Sequence, residues 1–316
     1  MDRSHVVGLP KAELHLHLEG TLEPELAFEL AARNGVTLPY ADVAALRRAY
    51  SFGDLQSFLD LYYACMAVLR TAQDFRDLAA AYLDRARADG VVRAEVFFDP
   101  QEHTARGVPL SEVVAGLSQA ARQSVASGGP QVALIACAVR HRGPDAALEL
   151  VESLEPHRDA ITGIGLDSTE LDHPPRLFAP AFEAARELGL HRVAHAGEEG
   201  PPSFVWEAIE VLGVERVDHG VRCIEDPALV RRLATDGTPL TMCPLSNVRL
   251  QVVPDLAAHP LPRLLDAGVR VTVNSDDPAY FGGYVADNYL ALAEAFAMSE
   301  ADLAALAQAS LDASFT

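Results

Sequence analysis

Eight short β-rich runs, separated by helical patterns, restrict this sequence more than any other feature. They are KAELHLHL (11–18), VVRAEVFF (91–98), QVALIACAV (131–139), ITGIGL (161–166), HRVAHA (191–196), ERVDHG (215–220), TPLTMC (238–243) and VRVTVNS (269–275). Strands that alternate with helices form a parallel sheet, because parallel neighbours need a crossover. Eight such units predict an α/β fold of the (β/α)8 TIM-barrel type. An open doubly wound sheet is the alternative, but GIG at 163–165 has no third glycine at the spacing of a dinucleotide loop. The helical patterns carry start and stop signals. SEVVAGLSQAARQSVAS starts at a cap on Ser111 and stops at Gly128-Gly129, and PAFEAARELG stops at Gly189. DPALVRRLATDG runs from Asp226, with Pro227 first in the helix, to Gly237.

One connection is long. Residues 21–90 separate the first two runs and predict helices over Thr21 to about Asn34 with Gly35 as stop, Asp54 to Leu69, and Thr71 to about Ala88. In the middle helix Leu55, Phe58, Leu59, Tyr62, Met66 and Leu69 recur at helical spacing and read as packing residues. In a barrel this helical insert leaves the C-terminal end of strand one, where active sites lie, and is placed to act as a lid. With no internal repeat and no low-complexity linker, residues 1–316 are expected to form one domain.

The polar residues gather at the strand ends. His15 and His17 are two apart and share a face, with Leu14, Leu16 and Leu18 expected on the other. A single buried histidine reads as hydrogen-bonded core, whereas two on one face point towards a metal, since neutral imidazole is the commonest ligand. Strand five ends VAHAGEEG, with His195 and Glu198; strand six ends VDHG, with Asp218 and His219; strand eight ends VNSDDP, with Asp276 and Asp277. Taken singly, His219 reads as a core histidine, Glu198-Glu199 as a solvated pair, and Asp276-Asp277-Pro278 as a helix cap. Those readings leave unexplained why all lie at one end of the barrel. A nitrogen-rich site with carboxylate oxygen suits zinc, which brings the pKa of a bound water towards neutrality. Two-metal sites need a bridging ligand, and GLDSTE at strand four has no lysine, with Glu170 lying past the strand. One Zn2+ per chain is therefore expected. His5, His103, His141, His157, His173, His191 and His259 show no comparable pattern.

Charge narrows the partners. Lys plus Arg number 25 against 45 Asp plus Glu, a formal charge of −20 that repels phosphate backbones and anionic membrane surfaces. Neither nucleic acid nor membrane is an expected partner, and homo-oligomerisation stays open. No run of about 18 apolar residues occurs, and MDRSHVVGLPK lacks the apolar stretch of a signal peptide. Cys65, Cys137, Cys223 and Cys243 form no CxxC pair and read as buried thiols of a reducing compartment, so a cytoplasmic location is expected.

The motifs LPKAELHLHLEG, VAHAGEEGPP, RVDHG, CPLSN and NSDDPAYFGGY resemble the adenosine/adenine deaminases of the metal-dependent amidohydrolase superfamily, from about Leu9 to Ser314. Asp218 ahead of His219, CPLSNVRLQVV, NSDDPAYFGGYV, EVFFDPQEHT (95–104) and GLDSTE (165–170) look more like the adenine-type members. The resemblance implies that His15, His17, His195 and Asp276 hold zinc. It implies that Glu198 gives a proton to purine N1, that His219 orients the attacking water or helps deprotonate it, and that Asp277 accepts a hydrogen bond from the N7 side. The implied partner is a small purine base, and the implied reaction is hydrolysis of adenine to hypoxanthine and ammonia in purine salvage. Two other readings stay open: deamination of adenosine or an N6-substituted purine on the same barrel, and a non-catalytic zinc-binding protein. Asp218 reads either as a contact to the base edge or as a brace for the strand-six loop, and the lid at 51–70 as a steric wall against a ribose.

Overall fold

In the computed structural model, which describes residues 2–315, eight strands lie side by side in chain order. They are β1 (Lys11–His17), β2 (Val91–Phe98), β3 (Gln131–Val139), β4 (Gly163–Asp167), β5 (His191–Ala196), β6 (Arg216–His219), β7 (Leu240–Met242) and β8 (Val271–Val273). Every neighbouring pair is parallel. The chain beyond β8 returns to β1: His17 N–H donates to Asp276 O at 3.0 Å, and Asp276 N–H to His15 O at 3.1 Å. The expected barrel is present, and its last seam runs through three of the candidate site residues.

The pairing of the first strand with β2 is irregular at two places, one of them between Lys11 and Ala12. The register between β1 and β2 shifts between Glu13 and Leu16, as an extra residue in one strand requires. Glu13 therefore turns to Tyr82 and Ser275, which both donate to its carboxylate. Leu14, expected on the face of Leu16 and Leu18, instead joins Ala12 and Ala313 in a separate small cluster. The rings of His15 and His17 still converge, 5.6 Å apart and both edging Phe97.

Below the histidines the barrel is packed. Phe97, Ile135, Cys137 and Val193 form an inner cluster against Phe315. Beneath it Arg216 donates to Glu95 at 2.5 Å and to the Ala313 carbonyl at 2.9 Å. Its guanidinium lies 3.8 Å from the Phe315 ring centroid. The site thus rests on a closed floor and opens in one direction only.

Four helices separate β1 from β2: Pro24–Asn34, Val43–Ala49, Leu55–Met66 and Ala72–Ala88. Gly35 ends the first in the left-handed region at φ 63°, where glycine meets no steric cost. Thr21 falls outside it, in a short turn over Glu19–Thr21, because Pro24 takes the first helical position. Val43–Ala49, capped by Asp42, has no counterpart among the expected helices. The third helix is capped by Asp54, which accepts from Ser57 N–H. It packs Phe58 onto Phe281 and Tyr280, with ring centroids 4.7 and 5.5 Å apart. The fourth packs on Leu110–Ala126, where a Cβ on Gly116 would lie 2.3 Å from the Ala72 carbonyl. Ser111 does not cap that second helix. Pro109 is extended at ψ 140° and sets the boundary, so Ser111 lies inside the first turn. Asp226 does cap its helix, accepting from Ala228 and Leu229 N–H. Among the described residues no helix is long and apolar enough to cross a membrane.

Candidate functional site

β1, β5, β6 and the turn after β8 deliver His15, His17, His195, His219, Asp276 and Asp277 to one mouth of the barrel, all buried. Two of these positions carry unusual backbone. His219 (φ 62°) and Asp276 (φ 65°) occupy the left-handed region without being glycine, a conformation that costs energy and persists where surroundings enforce it. It turns both side chains inward at the point where the chain leaves its strand.

Four donor atoms meet closely. His17 Nε2 lies 3.1 Å from His195 Nε2 and 3.5 Å from Asp276 Oδ1, and His15 Nε2 lies 3.3 Å from the same oxygen. A tetrahedral site with metal–nitrogen bonds of about 2.0–2.1 Å has edges of about 3.3 Å. His15 Nε2 is buried with no hydrogen-bond partner. An uncharged cavity would not leave it so; a metal would satisfy it. His219 approaches as well: donor atoms of His15, His195, His219 and Asp276 all lie within 4.8 Å of one another. Its Nε2, however, is 3.8 Å from Asp276 Oδ2 and closer, at 3.4 Å, to Glu198 Oε2.

The far ring nitrogens are held from behind. His15 Nδ1 sits 3.2 Å from the Thr241 carbonyl and His195 Nδ1 3.1 Å from the Leu166 carbonyl. Donation to those carbonyls leaves Nε2 with its lone pair facing the centre, the arrangement that supports metal ligation. Burial, then the neighbouring imidazoles, keep His195 well below the usual histidine range, and burial takes His219 down to about 3. Both rings are neutral. Burial would raise Asp276, but the charge and hydrogen bond of His15 outweigh it and hold its carboxyl well below the usual range, and Ser246 Oγ donates to it at 2.6 Å.

Glu198 faces this cluster with the opposite electrostatics. Burial, then Asp276, Glu170 and Glu199, push its carboxyl well above the usual range. Its loop is clamped by Glu170, which accepts from the N–H groups of Gly197, Glu198 and Glu199 at 2.9, 2.8 and 3.2 Å. Asn247 Nδ2 donates to Glu198 Oε1 at 3.4 Å and stands 3.2 Å from His219 Nδ1, while His259 contacts Asn247 Oδ1 at 3.2 Å. With its Nδ1 accepting, His219 carries its proton on Nε2, the nitrogen that faces Glu198 and Asp276.

These groups line one wall of a pocket of about 400 Å³, counting its open mouth. Asp99, Asp167 and Ser168 also line the pocket, with Asp167 Oδ2 3.6 Å from His17 Nδ1, as do Leu55, Phe58, Leu59, Tyr62 and Tyr63 of the third helix and Leu250. Asp277 borders the pocket with Oδ1 unpartnered. Asp218 does not reach it. Asp218 lies beneath the histidines, 3.8 Å from both His15 Nδ1 and His195 Nδ1, and accepts from Thr241 Oγ1 at 2.7 Å. Its absence from the pocket lining speaks against the base-edge reading, and its bond from Thr241 on the neighbouring strand fits the brace for the strand-six loop.

A family model described as adenosine deaminase matches residues 10–316. The chain belongs to the adenosine deaminase family. The adenine deaminase of Streptomyces coelicolor is 61% identical over 310 residues, covering 98% of this chain and 91% of that protein. The crystal structure of adenine deaminase from Arthrobacter aurescens superposes with a TM-score of 0.96 at 54% identity, covering 98% of this chain and 94% of that one. An amidohydrolase from Burkholderia ambifaria, with bound Zn, superposes with a TM-score of 0.91 at 30% identity, covering 99% and 88%.

All seven residues singled out in this deaminase-family sequence meet at the mouth. Several others there carried no such signal. Glu170 was weighed only as a metal bridge, yet both its oxygens are taken by backbone N–H groups. Ser246 and Asn247 lie within CPLSN, whose spacing shows nothing of their partners. His259 was set aside, and its contact with Asn247 arises only from the fold.

Proposed function

We propose that this chain is an adenine deaminase, a hydrolase of the cyclic amidine C–N bond that converts adenine and water to hypoxanthine and ammonia in purine salvage. The observation that carries the reading is a buried cluster of imidazoles and a carboxylate, with His17 Nε2 3.1 Å from His195 Nε2 and both His15 Nε2 and His17 Nε2 within 3.5 Å of Asp276 Oδ1, beside the buried Glu198. His15, His17, His195 and Asp276 would hold a single zinc ion, which when bound supplies a nucleophile by acidifying a water near neutral pH. Glu170 is committed to backbone N–H groups, which supports one metal and not two.

The chain's own groups then do the rest. His219, with Nε2–H turned to Asp276 and Glu198, orients the attacking water towards C6 of the base. Glu198, whose carboxyl is pushed up by burial and by Asp276, gives its proton to N1 as attack places electron density there. Glu170 and Asn247 hold Glu198 in reach, and such fixed positioning is a large part of the barrier lowered. Asp277, whose carboxyl is raised by burial and by Asp276, pairs with the N7 side. N7 of a base protonated at N9 carries no proton, so in that tautomer the shared proton comes from Asp277, the reverse of the direction implied by the sequence resemblance. The third helix roofs the base and excludes bulk water.

The test is to incubate purified protein with adenine and follow hypoxanthine and ammonia. Equimolar release that stops on chelation and returns with zinc supports the reading. No hypoxanthine from zinc-loaded protein would overturn it.

A further inference from the structure

The groups assigned above serve C6, N1 and N7, and none is left for the N3/N9 edge of the base. On the pocket lining, beside His17, stand two carboxyl groups that the assignment leaves unused, Asp99 in EVFFDPQEHT and Asp167 in GLDSTE. Asp99 follows β2 and Asp167 ends β4. Asp99 precedes Pro100 at a helix start, where an aspartate ordinarily caps the helix; here it makes no cap hydrogen bond. Its Oδ1 is buried, unpartnered and on the pocket wall, at 1% residue exposure. Asp167 Oδ1 is likewise buried without a partner on the same wall, at 3% exposure. Oxygens of both lie within 4.8 Å of each other and of a His17 ring nitrogen. Next to them Ser168 takes a left-handed φ of 69° and meets Tyr63 OH at 3.4 Å and His141 Nδ1 at 3.1 Å.

Two orphaned carboxylate oxygens deep in a substrate pocket are costly unless a ligand satisfies them. A carboxyl oxygen that carries no proton accepts hydrogen bonds whether or not the group is ionised, and the free base offers a donor at N9 that a nucleoside lacks. We propose that Asp99, with Asp167 beside it, accepts the N9–H of the purine and thereby selects the free base over N9-substituted purines. This rests on the adenine reading and adds the residues that enforce it. A ligand without N9–H would leave the Asp99 oxygen buried and unpaired, and sites built on such a bond reject the misfit strongly.

The experiment is calorimetric binding of hypoxanthine and 9-methylhypoxanthine to zinc-loaded protein, so the readout does not depend on turnover. The wild type should bind hypoxanthine at least about tenfold more tightly than its 9-methyl analogue. Asp99→Ala should weaken hypoxanthine by about tenfold or more, change the 9-methyl analogue little, and keep its zinc. Asp99→Asn, which keeps an acceptor oxygen, should recover part of the loss. An unchanged preference in Asp99→Ala overturns the subsite while the adenine reading stands. Equal binding of both purines by the wild type overturns it without any variant. Failure of the wild type to bind either purine overturns the adenine reading, and the subsite falls with it. A second zinc per chain that Asp99→Ala removes would assign Asp99, Asp167 and His17 to a metal and overturn the proposal.

Discussion

A methyl group on Gly20 would sit 2.0 Å from Asp277 Oδ1 and 2.7 Å from Asp277 Cα, far inside contact distance. The glycine that closes HLEG is thus the space into which Asp277 fits. Gly20→Ala should displace Asp277 and lower kcat/KM for adenine at least about tenfold, with a stability cost of about 1–3 kcal/mol from overpacking; steady-state kinetics and thermal unfolding check both. Glu198→Gln should keep fold and zinc and lose roughly 10²-fold or more in kcat, the usual scale for a lost general acid. Wild-type turnover in that variant would remove Glu198 from the proton path. The metal-type residues were legible in sequence because strand ends of a barrel converge, so HxH, HAGEE, DHG and SDD could be read together. Glu170, Asn247, His259 and Asp99 were not, because their meaning lies in hydrogen bonds made or left unmade across different strands.

At the scale of elements, the eight runs were legible because a strand buried on both sides reads as a continuous β-branched or apolar stretch. The bulge in β1 was not: perfect alternation in LHLHL hides the extra residue, and only pairing with β2 exposes it. The Ser111 cap failed because a proline two residues earlier already fixed the boundary. The third helix, Leu55–Met66, lines the pocket with Phe58 and Tyr62, which also pack on Tyr280. Phe58→Ala should loosen the roof where Phe58 meets Tyr280 and Phe281. We expect a loss of about 3 kcal/mol in stability and a rise in KM larger than the fall in kcat. A kcat effect alone would place this helix in the chemistry and not in the roof.

At the larger scale, a half-buried ion pair ties the ends of two neighbouring strands. Glu102, just past β2, accepts from Arg142 just past β3 at 2.6 Å and lies 3.4 Å from His141 Nε2. Burial opposes its ionisation, yet hydrogen bonds from His141 and Arg142 pull its carboxyl from 4.5 to about 2. Its stabilising contribution is therefore complete above pH 4.5 and is lost as the pH falls through about 2. Glu102→Gln should cost about 1–2 kcal/mol at pH 7 in urea unfolding, and the gap from wild type should narrow as the pH drops below 4.5. The account as a whole turns on a barrel mouth shaped for a free base. The most direct test is kcat/KM for adenine and adenosine, measured side by side on the same zinc-loaded preparation. The account predicts that adenine exceeds adenosine by at least about 10³. Comparable values, or a preference for adenosine, would contradict it.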